Sequence, residues 1–288
     1  MTGPARIALF AAFLVALFAG ALFAGAVLDP DTERPEDDEH AAAQGEHGAA
    51  PAGEGSAPPQ RGLAIAQDGL RLAPSAASLP LGRTREFSFR IVDEGGRAVT
   101  DFALEHERRM HVIVVRRDLT GYQHLHPRMA ADGTWSLDMR LDEPGPYRVY
   151  ADFERGGRAV TLATDVAVAG DYSPRTLPPE SHAARTAGYE VELADDGGAA
   201  VFTVARDGRP VDDLEPYLGA RGHLVVLREG DLAYLHVHPE DEATIGREVR
   251  FGVEYPSAGR YRMFLQFQHE GRVHTAAFTK EGHGGDEH

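Results

Sequence analysis

Residues 110–127 read MHVIVVRRDLTGYQHLHP, and residues 222–239 read GHLVVLREGDLAYLHVHP. Shifted by 112 positions the two stretches align without a gap. Arg109, His111, Val114, Arg116, Tyr122, His124, His126 and Pro127 fall on Arg221, His223, Val226, Arg228, Tyr234, His236, His238 and Pro239. Upstream, Gly96-Arg97-x-Val99-x-Asp101 falls on Gly208-Arg209-x-Val211-x-Asp213. Downstream, after small insertions, Gly145-x-Tyr147-Arg148 matches Gly259-x-Tyr261-Arg262 and Phe153 matches Phe267. Self-similarity over a span this long marks one domain copied in tandem.

The copied unit reads as β-structure. Segments 86–92 (EFSFRIV), 111–116, 135–140, 147–153 and 159–168 alternate or run continuously β-branched and aromatic, as strands do. Asp93-Glu94-Gly95-Gly96, Asp132-Gly133, Pro144-Gly145-Pro146 and Gly156-Gly157 supply the turns. The rhythm returns at 189–193, 200–205, 223–228, 247–253, 260–267 and 272–279, and no helical period persists there. About seven strands per roughly hundred-residue unit predict an all-β chain of two tandem Ig-like β-sandwich domains. The expected domains are 62–170 and 188–280, joined by a Pro-rich linker at 171–187 and followed by a Gly/His/acidic tail at 281–288. Tyr147-Arg148 and Tyr261-Arg262 read as structural strand starts with the Tyr buried and the Arg exposed, and Trp135 reads as core.

Residues 7–28 carry no charge and are dominated by Leu, Phe, Val, Ala and Gly. That length crosses a hydrocarbon core of ~30 Å as a helix. Arg6 precedes the run and Asp29, Asp31 and Glu33 follow it, which places the bulk of the chain outside the cytoplasm. A transmembrane anchor over 1–28 competes with a signal peptide cleaved at Ala24-Gly25-Ala26. The chain is then either held at the cell membrane by a single pass or secreted. Residues 29–61 have no apolar periodicity and read as a disordered acidic linker.

Composition narrows the partners. With 45 acidic against 29 basic residues the formal charge is −16, which repels nucleic acid and attracts cations. Cysteine is absent, so neither disulfides nor thiolate metal sites are available.

Histidine is the remaining ligand. His124 and His126 are two apart, so on one strand they share a face. Hairpin pairing that sets His111 opposite either of them brings three imidazoles together, since cross-strand β-carbons stand ~4.5–5.5 Å apart. His223, His236 and His238 repeat the pattern. Three neutral imidazoles suit a copper or zinc ion. Histidines packed and hydrogen-bonded in half-buried strands make the competing reading, and a pH-responsive cluster makes a third. Secondary candidates are His106, Met110, His269 and His274. Gly222 takes the place of Met110 in the other copy, and Met110 also reads as core, while His274 lies on a strand that can approach the second cluster.

The segments 110–127, 222–239 and 261–279 (YRMFLQFQHEGRVHTAAFT) resemble a family of secreted or membrane-anchored bacterial proteins of actinobacterial type, labelled heavy-metal-binding or uncharacterised. The resemblance covers roughly residues 70–280 and implies duplicated Ig-like domains outside the cytoplasm. A looser likeness is to small extracytoplasmic copper carriers built on β-sandwiches, which commonly bind Cu(II) through a free N-terminal histidine. This chain begins with the anchor or, if cleaved, with Val27, so a copper site here must use internal histidines.

No G-x-S-x-G, H-E-x-x-H, P-loop or dinucleotide fingerprint occurs. The expectation is a non-enzyme that captures, delivers or confers resistance to a metal outside the cytoplasm. The alternative is an Ig-like adhesion or interaction module, with structural histidines, that meets another envelope protein.

Overall fold

The computed structural model describes residues 61–235, 237–240 and 247–284, with His238 described by its backbone alone. The expected anchor or signal, nearly all of the acidic linker, His236 and the last four residues lie outside the described residues. Among the described residues no helix is long and apolar enough to cross a membrane.

Both repeats are β-sandwiches. The first contains β1 (Ala66–Gln67), β2 (Leu70–Pro74), β3 (Ser78–Leu79), β4 (Arg85–Val92), β5 (His111–Arg116), β6 (Gln123–Leu125), β7 (Arg128–Met129), β8 (Trp135–Met139), β9 (Gly145–Arg155) and β10 (Arg158–Val168). One sheet is ordered β1-β2-β4-β8-β7 and the other β3-β10-β9-β5-β6. Every long strand foreseen from the sequence is present; the short edge strands β1, β3 and β7, and β2 beside β1, carried too few residues to show a period.

The second repeat contains β11 (Ala183–Thr186), β12 (Tyr189–Asp196), β13 (Ala199–Arg206), β14 (Arg209–Pro210), β15 (His223–Arg228), β16 (Tyr234–Leu235), β17 (Val237–Pro239), β18 (Glu248–Val253), β19 (Gly259–His269) and β20 (Arg272–Gly282). Its sheets run β11-β12-β13-β18-β17, with β14 on β13, and β16-β15-β19-β20. Two boundaries differ from the sequence reading. β11 lies inside the expected linker because residues 183–186 pair with β12, and β20 runs two residues into the expected tail because Gly282 pairs with Gly259.

Each sandwich closes on its own core. Phe87, Phe89, Ile91, Val112, Val114, Trp135 and Phe153 fill the first, and Phe202, Leu224, Val226, Phe251, Met263, Phe267 and Phe278 the second. Tyr147 Oη donates to the Glu143 carbonyl at 2.9 Å and Tyr261 Oη to the Ser257 carbonyl at 2.8 Å. Both are the backward bond of a tyrosine corner, a mark of Ig-like sandwiches. The neighbouring arginine is not the exposed residue expected. Arg148 lies largely buried against the Gly62 and Leu63 carbonyls, with Asp165 at 3.2 Å.

A third apolar layer forms where the repeats meet. β5 reads HVIVVR without alternation because both its faces are buried. Val112 and Val114 point into the sandwich, while Ile113 and Val115 point out and pack with Tyr150, Val225, Leu227, Tyr234 and Phe264. The second repeat offers the corresponding face of β15 and β19. Tyr122 stacks on Phe264 with ring centres 4.1 Å apart, and Tyr150 Oη donates to the Leu232 carbonyl at 2.6 Å. The Pro-rich connection joins in, with Leu177 buried in this layer and its carbonyl held by Arg260. Gly62 is required where the chain enters: its φ is +69° and a β-carbon there would stand 2.7 Å from the Tyr150 ring.

Ile113 touches the layer between repeats and not the core of its own sandwich. Its truncation to Ala is therefore expected to lower the unfolding free energy of the full chain by about 2–4 kcal/mol, a cavity-scale loss. Chemical denaturation measures this. A change under about 0.5 kcal/mol, the scale of a surface site, would mean that the repeats do not hold each other in solution.

Candidate metal centre

β5 opens with His111, and β6 pairs beside it in the register Ile113↔His124. That register puts His124 on the same face as Ile113, and His111 two residues earlier on that face too. This is the face that meets the second repeat. His126 follows just beyond the end of β6. A ring nitrogen from each of His111, His124 and His126 lies within 4.8 Å of the other two. Ring centres are 5.2 Å apart for His111–His124 and His111–His126, and 4.7 Å for His124–His126.

The hydrogen bonds fix which nitrogens are available. His111 Nε2 lies 3.2 Å from the Glu105 carbonyl, which can only accept, so that nitrogen carries the proton. His124 Nδ1 lies 2.7 Å from Gln266 Oε1 and is likewise a donor. The Gln266 amide nitrogen is in turn directed at Thr275 Oγ1 at 3.4 Å. In neutral rings the opposite nitrogens, His111 Nδ1 and His124 Nε2, then carry lone pairs. They face each other at 3.0 Å. His126 Nε2 is buried and, among the described residues, has no hydrogen-bond partner.

Two lone pairs at that distance repel unless a proton or a cation lies between them. Burial opposes the proton. It holds the His124 ring down to about 3 and the His111 and His126 rings to about 4, with the neighbouring rings pressing the same way.

The surroundings come from both repeats. His223, the counterpart of His111, stacks on His124 at 4.6 Å and on His111 at 5.8 Å between ring centres. Burial holds its pKa well below the usual imidazole value as well. His106 stands at the rim, with its ring 6.2 Å from that of His111 and 6.1 Å from that of His223. It sits in a two-residue left-handed turn with φ of 47° at His106 and 62° at Glu107. Asp152 is the registered neighbour of His111 on β9, and burial raises its carboxyl above the usual range, as it does that of Glu105.

The remaining candidates fall elsewhere. Met110 is 1% exposed in the first core, so its thioether points away from the imidazoles. His269 spends both ring nitrogens on the Tyr189 hydroxyl at 2.8 Å and Asp213 at 3.2 Å. His274 packs on the Tyr189 and Phe267 rings and not on the cluster. Among the described residues the second repeat's histidines are placed differently from the first's. His223 stands with the first repeat's histidines, and β17 leaves the hairpin to pair with β18 in the opposite sheet, His238 against Gly252. His236 lies outside the described residues, as does the His238 side chain.

Gln266 and Asp152 were not singled out in the sequence. The signal was available: each is one residue before the matched Phe267 and Phe153, and Gln266 is a polar residue in the apolar run YRMFLQF.

Comparison with known proteins agrees with the duplication. Residues 65–170 and 184–284 each match the model of a family described as "Domain of unknown function (DUF8832)". The chain belongs to that family. No curated protein matches it. Among solved structures it is similar to the Escherichia coli adhesin FdeC, at 11% identity over 76% of this chain and 66% of that one, with a TM-score of 0.27. It is also similar to a Salmonella alpha-2-macroglobulin, at 15% identity over 79% of this chain and 15% of that one, with a TM-score of 0.28. A third likeness is to the surface layer protein SbsC, at 11% identity over 75% and 31%, with a TM-score of 0.23.

The depressed values of the cluster give a pH dependence with a definite sign. Unfolded histidines titrate near ~6.5, so below that pH the unfolded chain binds protons that the folded chain refuses. The stability of the metal-free protein is therefore full above about pH 6.5 and falls as pH drops toward 4. The ceiling for one fully buried ring is about 1.4 kcal/mol per pH unit. Thermal unfolding from pH 7.5 to 4.5 should show this fall, and His124→Gln should flatten it. Equal slopes in the two proteins would mean that the ring is protonated in place.

Proposed function

We propose that this two-repeat member of the DUF8832 family binds a copper or zinc ion through His111, His124 and His126, and that it captures or delivers that metal outside the cytoplasm without a catalytic step of its own. The observation that carries the reading is the pair of lone pairs on His111 Nδ1 and His124 Nε2, 3.0 Å apart with both outer nitrogens committed as donors. Ligands on one tetrahedral ion with bonds of about 2.0–2.1 Å stand ~3.3 Å from each other. A cation thus removes the repulsion with little movement of either ring.

Imidazole nitrogens without thiolate suit copper or zinc over harder ions. The orienting bonds from His111 to a carbonyl and from His124 to an amide oxygen are the outer contacts that metal-bound histidines ordinarily make. The uncharged run at residues 7–28 and the charges around it support a place outside the membrane. The net charge of −16 favours the approach of cations.

Titration of the purified full chain with Cu(II) or Zn(II) tests the proposal, read by affinity and by unfolding. Metal at a hundredfold excess over Kd should raise the unfolding free energy by about 2.7 kcal/mol. His124→Ala should abolish that gain. No gain with either metal, in a folded chain, would leave the histidines as packing residues.

Gln266 acts here as a positioning residue. Gln266→Ala is expected to weaken metal binding ~10–100-fold, whereas Gln266→Glu, which still accepts from His124 Nδ1, should restore most of it. Equal loss in both variants would remove the orienting role.

A further inference from the structure

We infer that His223 supplies a fourth ligand from the second repeat, so that the metal closes its coordination across the junction and clips the two repeats together. The inference rests on the three-histidine reading above. Its own basis is separate, and lies in where the His223 ring stands and what its nitrogen lacks.

Imidazoles that share one ion through bonds of about 2.0–2.1 Å stand ~5 Å apart between ring centres. The three rings of the first repeat do so, at 5.2, 5.2 and 4.7 Å. His223 keeps the same spacing, 4.6 Å from His124 and 5.8 Å from His111. It stands on the side of the His111–His124 pair that the second repeat covers.

Its Nε2 is buried and has no hydrogen-bond partner among the described residues. A buried polar atom left without a partner is costly, and here its ring stands against those of His124, His111 and His106. The ring lies nearly parallel to those of His111 and His124, at 9° and 26°. Ligation therefore turns it about the Cβ–Cγ bond, a soft torsion for an imidazole. The backbone beneath is firm: His223 pairs with Gln266 on β19, the residue that orients His124. Both of the second repeat's contributions thus come from one registered pair.

A four-nitrogen shell has no open position. That is the form of storage and structural sites, in contrast to catalytic ones that keep a place for water or substrate. It also makes metal affinity depend on docking between the repeats, and docking on metal.

The test uses the full chain loaded with one equivalent of Zn(II), its imidazole ligands counted by X-ray absorption and its affinity measured by competition with a chelator. The expected count is four in the unsubstituted protein and three in His223→Ala and His223→Gln. Affinity in both variants should fall by more than the ~10–100-fold typical of a lost orienting partner. Three imidazoles in the unsubstituted chain would overturn the inference whether or not the variants fold. So would affinity within about threefold in His223→Gln while His124→Ala no longer binds, and that pattern leaves the three-histidine site standing. Failure of the unsubstituted chain to bind Zn(II) or Cu(II) would overturn both.

Discussion

Burial of β5 and β15 on both faces is the constraint from which the rest follows. In a sandwich open to water on its outer side, a strand of this length alternates apolar and polar residues. HVIVVR and HLVVLR do not alternate, and each repeat alone would expose Ile113 and Val115, or Val225 and Leu227, to solvent. Docking the two outer faces removes that surface from water. It also fixes the register of one repeat on the other, because Tyr122 stacks on Phe264 and Tyr150 bonds the Leu232 carbonyl.

The histidines stand on that apolar layer, which explains their electrostatics. His111 and His223 are the first residues of the two doubly buried strands, so the packing that dries Ile113 and Val225 also dries the imidazoles. Desolvation lowers every ring in the cluster and keeps it neutral, the form that binds metal. A cation placed among neutral rings still needs compensating charge. Glu105 and Asp152 lie close by, and burial raises both carboxyls. An ion in the cluster would favour their charged forms.

Much of this was legible in the sequence, and the limits are physical. The duplication, the long strands and the trio His111, His124 and His126 follow from period and spacing, both of which are local. The layer between the repeats was written in the same lines, since an unbroken apolar strand in an antiparallel sandwich must be covered on its second face. Reading β5 as merely β-branched passed over that requirement. Met110 and His274 carry the right chemistry on the wrong face: which side of a strand a residue occupies depends on register, and register is set by a partner strand far along the chain. His223 was legible as a candidate ligand, but its place beside the first repeat's histidines was not, because that depends on how the two repeats dock. The edge strands β6 and β16 end differently, and short edges leave little trace in a sequence.

Divergence at one register position shows how a copied domain reaches an asymmetric centre. His111 neighbours Asp152 across β5 and β9, and His223 neighbours Gln266 across β15 and β19. These are the same two positions in the two repeats. A carboxylate at both would set two buried negative charges near one another beside the rings, which the low-dielectric layer resists. An amide at both would leave an incoming cation with one fewer counter-charge. With one of each, the amide holds the tautomer of His124 across the junction. The acid stays on the side of His111, held by Thr161 at 2.6 Å. The repeats therefore contribute unlike groups from like positions, and the surroundings of the histidine cluster belong to the pair and not to either domain alone.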